Sequence, residues 1–271
     1  MKLDTKLRNK HIVLLDCDGV VWKGKQAIEG AQICLKKLEQ NGIKLGFVTN
    51  NSSLSREGFN QKFSKLGFDS SEYTIVNSAY GAAKYLEERE YNRMFIIGES
   101  GLREELELQG FYVAETYEPK LEGVCIGWDR QLTWQKLADA MRVILNDNGF
   151  FLGTNPDNSY PLEDFLVPGA GAGIAALSNA CNKDPDIIIG KPNRYLLDLA
   201  LKEIGHNQID EAVYIGDRLS TDIAAGINAG MDTILVRSGI SDDHLKNTII
   251  PTAEIDSIAD IFSVLALPAN N

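Results

Sequence analysis

The sequence predicts an α/β protein built on parallel strands, and three observations carry that prediction. Short apolar runs alternate with amphipathic helical stretches along all 271 residues. Several of the apolar runs break off into a polar cluster instead of a hairpin turn, as buried parallel strands do where they end in a loop. Most of the helical stretches close on a glycine (Gly42, Gly67, Gly110, Gly205, Gly230), the residue that caps helix C-termini best. Strand-to-helix alternation of this kind implies right-handed crossovers.

The elements follow in order. Residues 11–15 form an apolar run ending in Asp16-Cys17-Asp18-Gly19, the pattern of a buried strand. A helix is expected over 31–41, with Ile33, Leu35 and Leu38 apolar among lysines, then a strand over 43–48 ending in Thr49-Asn50-Asn51. Residues 55–66 read as a helix, 74–76 as a short apolar piece and 79–88 as a helix. The middle keeps the alternation: strands at 94–97, 111–114, 123–128 and 150–153, helices at 100–109 and 133–146, together a second, smaller α/β layer. Residues 154–168, rich in Pro, Asn and Asp, read as a loop too long for a mere connector, and a small-residue helix resumes at 169–179. The last third gives a strand at 186–189 leading into Gly190-Lys191-Pro192, a helix at 193–204, and a strand at 212–215 leading into Gly216-Asp217. A helix at 221–229 and a final core strand at 233–236 close the pattern.

Composition narrows the function. A 44% apolar and 24% charged chain is ordinary for a globular protein. The net charge of −11 excludes a nucleic-acid or anionic-membrane binder, which needs a basic face. An anionic substrate would therefore need local positive charge, most simply a divalent ion and a lysine. The first ten residues are charged and lack a signal-peptide core, and no apolar run reaches the ~20 residues of a membrane span, so a cytoplasmic protein is expected. Cys17, Cys34, Cys125 and Cys181 have no paired spacing and read as reduced core residues. Three histidines (His11, His206, His244) suggest neither a metal cluster nor a triad.

Four polar clusters each follow a strand-like run, and in a parallel sheet the carboxyl ends of the strands converge on one crevice. Asp16 and Asp18, two apart, point to the same side of an extended backbone. One carboxylate can attack phosphorus, and its neighbour can protonate the leaving alkoxide and then deprotonate water. Gly19 lets the chain turn away. Asp217 would complete an oxygen site for Mg²⁺ with the first acids, and Asp222 would stand one helical turn further on, behind the ion or reaching it through water. Thr49 and Asn50 offer a hydroxyl, an amide and backbone N–H groups to phosphate oxygens, and Lys191 offers a compact positive charge. Each cluster alone has a plain structural reading as a turn, cap or helix entry; it is their joint occurrence in this order that points to chemistry.

In these four clusters the chain resembles the haloacid dehalogenase superfamily, over essentially its whole length. Asp16-Cys17-Asp18-Gly19-Val20 is similar to the first motif, with Asp16 the nucleophile and Asp18 the acid/base. Thr49-Asn50 is similar to the second motif, Lys191 to the third, and Gly216-Asp217 through Asp222 to the fourth. Val48-Thr49-Asn50-Asn51-Ser52, Gly98-Glu99-Ser100-Gly101, Gly190-Lys191-Pro192-Asn193 and Gly216-Asp217-Arg218-Leu219-Ser220-Thr221-Asp222 resemble the p-nitrophenylphosphatase, phosphoglycolate phosphatase and NagD-like branch. The resemblance implies a Rossmann-like core (residues 1–79 and 185–271) carrying a large inserted α/β cap (residues 80–184). It implies a magnesium site from Asp16, the Asp18 backbone carbonyl and Asp217, with Asp222 behind. It implies a cap loop bearing Asn155, Asp157 and Tyr160 that selects the leaving group, and a homodimer through the cap.

Tyr160 stands where animal phosphoglycolate and pyridoxal phosphatases tend to carry histidine; it can hydrogen-bond a leaving group, stack on a ring or merely pack the loop. Trp22 lines an entrance or packs, and Cys17 should face the core. The expected activity is hydrolysis of a small phosphorylated metabolite, such as phosphoglycolate, glycerol phosphate, a sugar phosphate or a nucleotide. A phosphomutase or phosphotransferase of the same superfamily, and a non-catalytic phosphate-binding regulator, are the alternatives.

Overall fold

The apolar run Ile12–Leu15, buried at all four positions, forms an inner strand of a six-stranded sheet. The computed structural model describes residues 7–161, 165–206, 208–239 and 243–267. Across the sheet the order is Ala253–Ile255, Asp232–Val236, Ala212–Gly216, Ile12–Leu15, Lys44–Thr49, Thr74–Asn77. Ile12–Leu15 pairs in parallel with Ala212–Gly216 on one side and with Lys44–Thr49 on the other, Leu15 lying opposite both Ile215 and Phe47. The chain thus leaves its first strand for one neighbour and returns later on the opposite side. That arrangement makes a switch point, with a crevice beyond the carboxyl ends of the strands.

By its internal contacts the chain falls into two units: Met1–Thr49, Asn60–Val76 and Lys191–Asn271 in the first, Asn50–Phe59 and Asn77–Gly190 in the second. The first holds the six-stranded sheet. Its helix Ala31–Gln40 buries Ala31, Cys34, Leu35 and Leu38; of the three apolar residues expected there, Leu35 and Leu38 are buried and Ile33 is exposed. Helix Tyr195–Ile204 ends on Gly205 at φ 74°, a left-handed conformation that favours glycine. Aromatic packing closes one flank: Phe63 meets Trp22 at 4.8 Å and Phe47 at 4.6 Å between ring centroids, both edge-on.

The second unit is built on a five-stranded parallel sheet in the order Ile187–Ile188, Phe150–Gly153, Gly123–Ile126, Arg93–Ile97, Tyr112–Ala114. Its core joins Phe95, Val124, Ile126 and Phe151 of the sheet to Ala140, Val143 and Ile144 of helix Trp134–Leu145 and to Ile174 and Leu177 of helix Ala170–Cys181. Residues 50–59 belong here because Gly101 leaves room for them. A Cβ on Gly101 would lie 2.2 Å from the Leu54 carbonyl carbon, and Asn77 Nδ2 donates to the Leu54 carbonyl at 2.8 Å.

The internal contacts draw the unit boundaries at 49/50, 59/60, 76/77 and 190/191. Three expectations about single elements need correction. Within 154–168, Ser159–Pro161 and Leu166–Pro168 pair as an antiparallel ribbon, and residues 162–164 lie outside the described residues. The strand at 233–236 is not the last: Ala253–Ile255 pairs beside it, a three-residue edge strand whose glutamate hides it from periodicity. The helix expected at 221–229 opens instead as a π-turn, Leu219–Ile223, before Ala224–Ala229. Among the described residues, no helix is long and apolar enough to cross a membrane.

Candidate active site

Three neighbouring strands of the six-stranded sheet end at one level. Asp16 follows Leu15 and donates its backbone N–H to Ile215 O at 2.8 Å; Gly216 ends the next strand and is followed by Asp217; Thr49 ends the strand on the other side. Asp16, Thr49 and Asp217 are all buried. One carboxylate oxygen from each of Asp16, Asp217 and Asp222 lies within 4.8 Å of the others, so residues separated by 200 positions share one pocket of negative charge.

Lys191 sits in that pocket, 2% exposed. Its Nζ donates to Asp16 Oδ1 at 2.6 Å, to Tyr214 Oη at 2.9 Å and to Val48 O at 3.1 Å, and lies 2.7 Å from Asp222 Oδ1. The π-turn explains how Asp222 gets there. The wider turn, with Ile223 N–H reaching back to Arg218 O at 3.1 Å, returns the Asp222 side chain over the start of its own loop. There Asp222 Oδ2 accepts the backbone N–H groups of Asp217 at 3.2 Å and Arg218 at 3.1 Å, and Tyr214 Oη donates to Oδ1 at 3.1 Å.

Asp217 is held by shape. Glycines from two loops crowd its carboxylate: a Cβ on Gly19 would lie 2.4 Å from Oδ2, and one on Gly239 would lie 1.7 Å away. Gly19 also has φ 84°, and Ser238 Oγ donates to its carbonyl at 2.6 Å, tying the two loops together.

Burial dominates the electrostatics. It pushes the Asp16 carboxyl up to about 7; Lys191 pulls it back, and Asp222 and Asp18 push further. Burial also works against the Lys191 ammonium, but Asp16 and Asp222 outweigh it and hold the lysine charged. Asp222 is likewise penalised by burial, and Lys191 with the backbone N–H groups holds it below the usual carboxylate range. Three buried acids against one ammonium leave the pocket two charges negative when all are ionised. An all-oxygen donor set with that surplus fits a hard divalent cation.

The other site residues fall as follows. Asp18 Oδ1 accepts the Trp22 indole N–H at 3.0 Å and lies 3.9 Å from Lys62 Nζ. Trp22 is fully buried, which makes it a packing residue with a polar edge, and Cys17 is buried as expected. Asn50 opens the second unit. Its carbonyl accepts Ser78 Oγ at 2.6 Å and Asn155 Nδ2 at 2.8 Å, and its amide donates to Asp157 Oδ2 at 3.1 Å. Asn155 and Asp157 therefore meet Asn50, whereas Tyr160 lies over the Trp128 ring, centroids 4.6 Å apart. Sequence reasoning missed Tyr214 and Gly239. A phenol in the otherwise aliphatic run 212–215 was the available signal, since a buried hydroxyl needs a partner.

Comparison with known proteins gives the family. The family model of haloacid dehalogenase-like hydrolases matches residues 13–112, and a second HAD-like hydrolase model matches residues 188–261. The chain is 33% identical over 297 residues to glycerol-3-phosphate phosphatase of Homo sapiens, covering 96% of this chain and 92% of that protein. It superposes on the crystal structure of 4-nitrophenylphosphatase from Thermotoga maritima with a TM-score of 0.89 at 27% identity, covering 97% of this chain and 100% of that one. It also superposes on a glycerol phosphate phosphatase from Mycobacterium tuberculosis in complex with magnesium, with a TM-score of 0.84 at 29% identity, covering 92% of this chain and 76% of that one. The chain belongs to the haloacid dehalogenase-like hydrolases. Within them it is an enzyme of the phosphoric monoester hydrolase class.

Proposed function

We propose that this chain is a magnesium-dependent phosphatase of a small phosphorylated metabolite, working through an aspartyl-phosphate on Asp16. The observation that carries the proposal is the meeting of Asp16, Asp217, Asp222 and Lys191 beyond the carboxyl ends of the sheet. Asp16 attacks phosphorus, and the bond to the leaving alkoxide breaks as Asp18 gives that oxygen its proton. Asp18 then takes a proton from water, whose oxygen attacks phosphorus; inorganic phosphate leaves and the Asp16 carboxylate is restored. Thr49 and Asn50 hold phosphate oxygens, and the Lys191 ammonium meets the charge that develops on them. Asp16, Asp217 and the Asp18 carbonyl would hold Mg²⁺, which supplies neutralising charge for the phosphate oxygens and the crowded acids. Asp222, its oxygens already taken by Lys191, Tyr214 and two backbone N–H groups, stands behind the ion and fixes the loop.

The second unit serves as the cap, with leaving-group selection assigned to the segment bearing Asn155, Asp157 and Tyr160, and the protein pairs as a homodimer through it. Glycerol phosphate is the first substrate to try, because the human and mycobacterial relatives carry that name. The test is hydrolysis of p-nitrophenyl phosphate, glycerol 3-phosphate and 2-phosphoglycolate with Mg²⁺. Activity is expected with Mg²⁺, none after stringent chelation, and recovery on readdition. Asp16→Asn is expected to lose about 10⁴-fold or more in kcat while keeping the fold. Full activity in that variant, or in metal-stripped protein, would refute the mechanism.

A further inference from the structure

We propose that Tyr214 is a positioning residue for Lys191 and Asp222, one that lets the ammonium change partners during turnover without leaving Asp222 short of a donor. The inference rests on the phosphatase reading above and adds a residue to it.

The argument is a count of protons. Lys191 has three N–H donors. At least four oxygens stand within reach of Nζ: Asp16 Oδ1 at 2.6 Å, Asp222 Oδ1 at 2.7 Å, Tyr214 Oη at 2.9 Å and Val48 O at 3.1 Å. The acceptors already outnumber the protons before any phosphate oxygen arrives. When one does, and when Asp16 spends an oxygen on phosphorus, the ammonium must give up a partner.

With both acids ionised, the carboxylates and the Val48 carbonyl only accept, whereas Tyr214 both accepts and donates: its Oη accepts a hydrogen bond from Lys191 and faces Asp222 Oδ1 at 3.1 Å and Val48 O at 3.4 Å. If the ammonium swings toward the substrate, the phenol still serves Asp222, and the Val48 carbonyl is next in line. Asp222 in turn holds the backbone N–H groups of Asp217 and Arg218, so the loop carrying Asp217 keeps its shape. Tyr214 is fully buried, and its strand neighbours Val213 and Ile215 are aliphatic, so a hydroxyl placed there would cost stability unless it had partners. Phenylalanine would fill the same volume without the exchangeable bond.

The test is Tyr214→Phe, assayed beside wild type and Asp16→Asn with p-nitrophenyl phosphate and glycerol 3-phosphate. The expected result is a fall in kcat of about tenfold, the order of one hydrogen bond to a charged group, with KM moving less than about threefold and the melting temperature nearly unchanged. A second readout does not depend on turnover. The buried Lys191 ammonium should give a slowly exchanging ¹H–¹⁵N NMR signal in wild type that shifts or broadens in Tyr214→Phe. Wild-type kcat together with an unmoved ammonium signal overturns the proposal, as does a loss of activity that merely tracks loss of folded protein. A wild type without phosphatase activity would speak against the phosphatase reading instead, and the ammonium signal would still decide the role of Tyr214.

Discussion

Removing the Lys191 ammonium leaves Asp16 and Asp222 buried without the cation that both pair with. Breaking a buried ion pair from one side typically costs ~3–5 kcal/mol. Lys191→Ala is therefore expected to lower the unfolding free energy of metal-free protein at pH 8 by that order, read as a lower denaturant midpoint at unchanged slope, and saturating Mg²⁺ should return part of it. A midpoint that stays put would mean the acids are not held by the lysine. At this scale the sequence is readable through joint occurrence: Asp16, Asp217 and Lys191 each follow an apolar strand, and it is the set in that order, not any one of them, that points to a shared site. Tyr214 does not stand out, because an aromatic in a strand usually signals core. Only its hydroxyl, invisible to periodicity, ties it to Lys191. Tyr160 shows the converse. Its identity departs from the resembling family's histidine, and its ring lies over Trp128.

Loops and turns set the positions that strands alone do not. Gly239 contributes no side chain to the site, but its backbone passes so close to Asp217 that a methyl group would overlap the carboxylate. Gly239→Ala is expected to displace Asp217 and weaken magnesium activation by about tenfold or more, the cost typical of disturbing a ligand's support. Circular dichroism should stay native. An unchanged activation curve would show that Asp217 has another place to go. The long, regular elements were legible, since buried parallel strands and amphipathic helices write their period into the sequence. The π-turn at Leu219–Ile223 was not: one extra residue in a turn leaves no hydrophobic signature, although it decides where the Asp222 carboxylate lands. The edge strand Ala253–Ile255 escaped for a related reason, being three residues long with an exposed glutamate at its centre.

Across the whole molecule, all four cysteines are buried and unpaired. Burial pushes the Cys34 thiol up to about 12 and the Cys17 thiol well above its ordinary range. At pH 8 a thiol of that kind is ionised to roughly one part in 10⁴, and the thiolate is the reactive form. Native protein should therefore react slowly with a disulfide reagent, and all four thiols should titrate promptly in guanidinium. A fast-reacting thiol in native protein would contradict the burial. Two α/β layers were foreseeable from alternation. Residues 50–59 have the composition of a core connection, yet they pack with the second unit, where Leu54 lies against the bare backbone of Gly101, its carbonyl accepts from Asn77 Nδ2, and Arg56 pairs with Glu105.

That docking bears on any attempt to exchange substrate preference by grafting the middle of the chain between relatives. A transplant excised at 77 and 190 would leave behind the peptide seated against Gly101, and the host's own Leu54 stretch would have to fit the newcomer's groove. Chimeras should carry both stretches together, with the first junction immediately after Thr49.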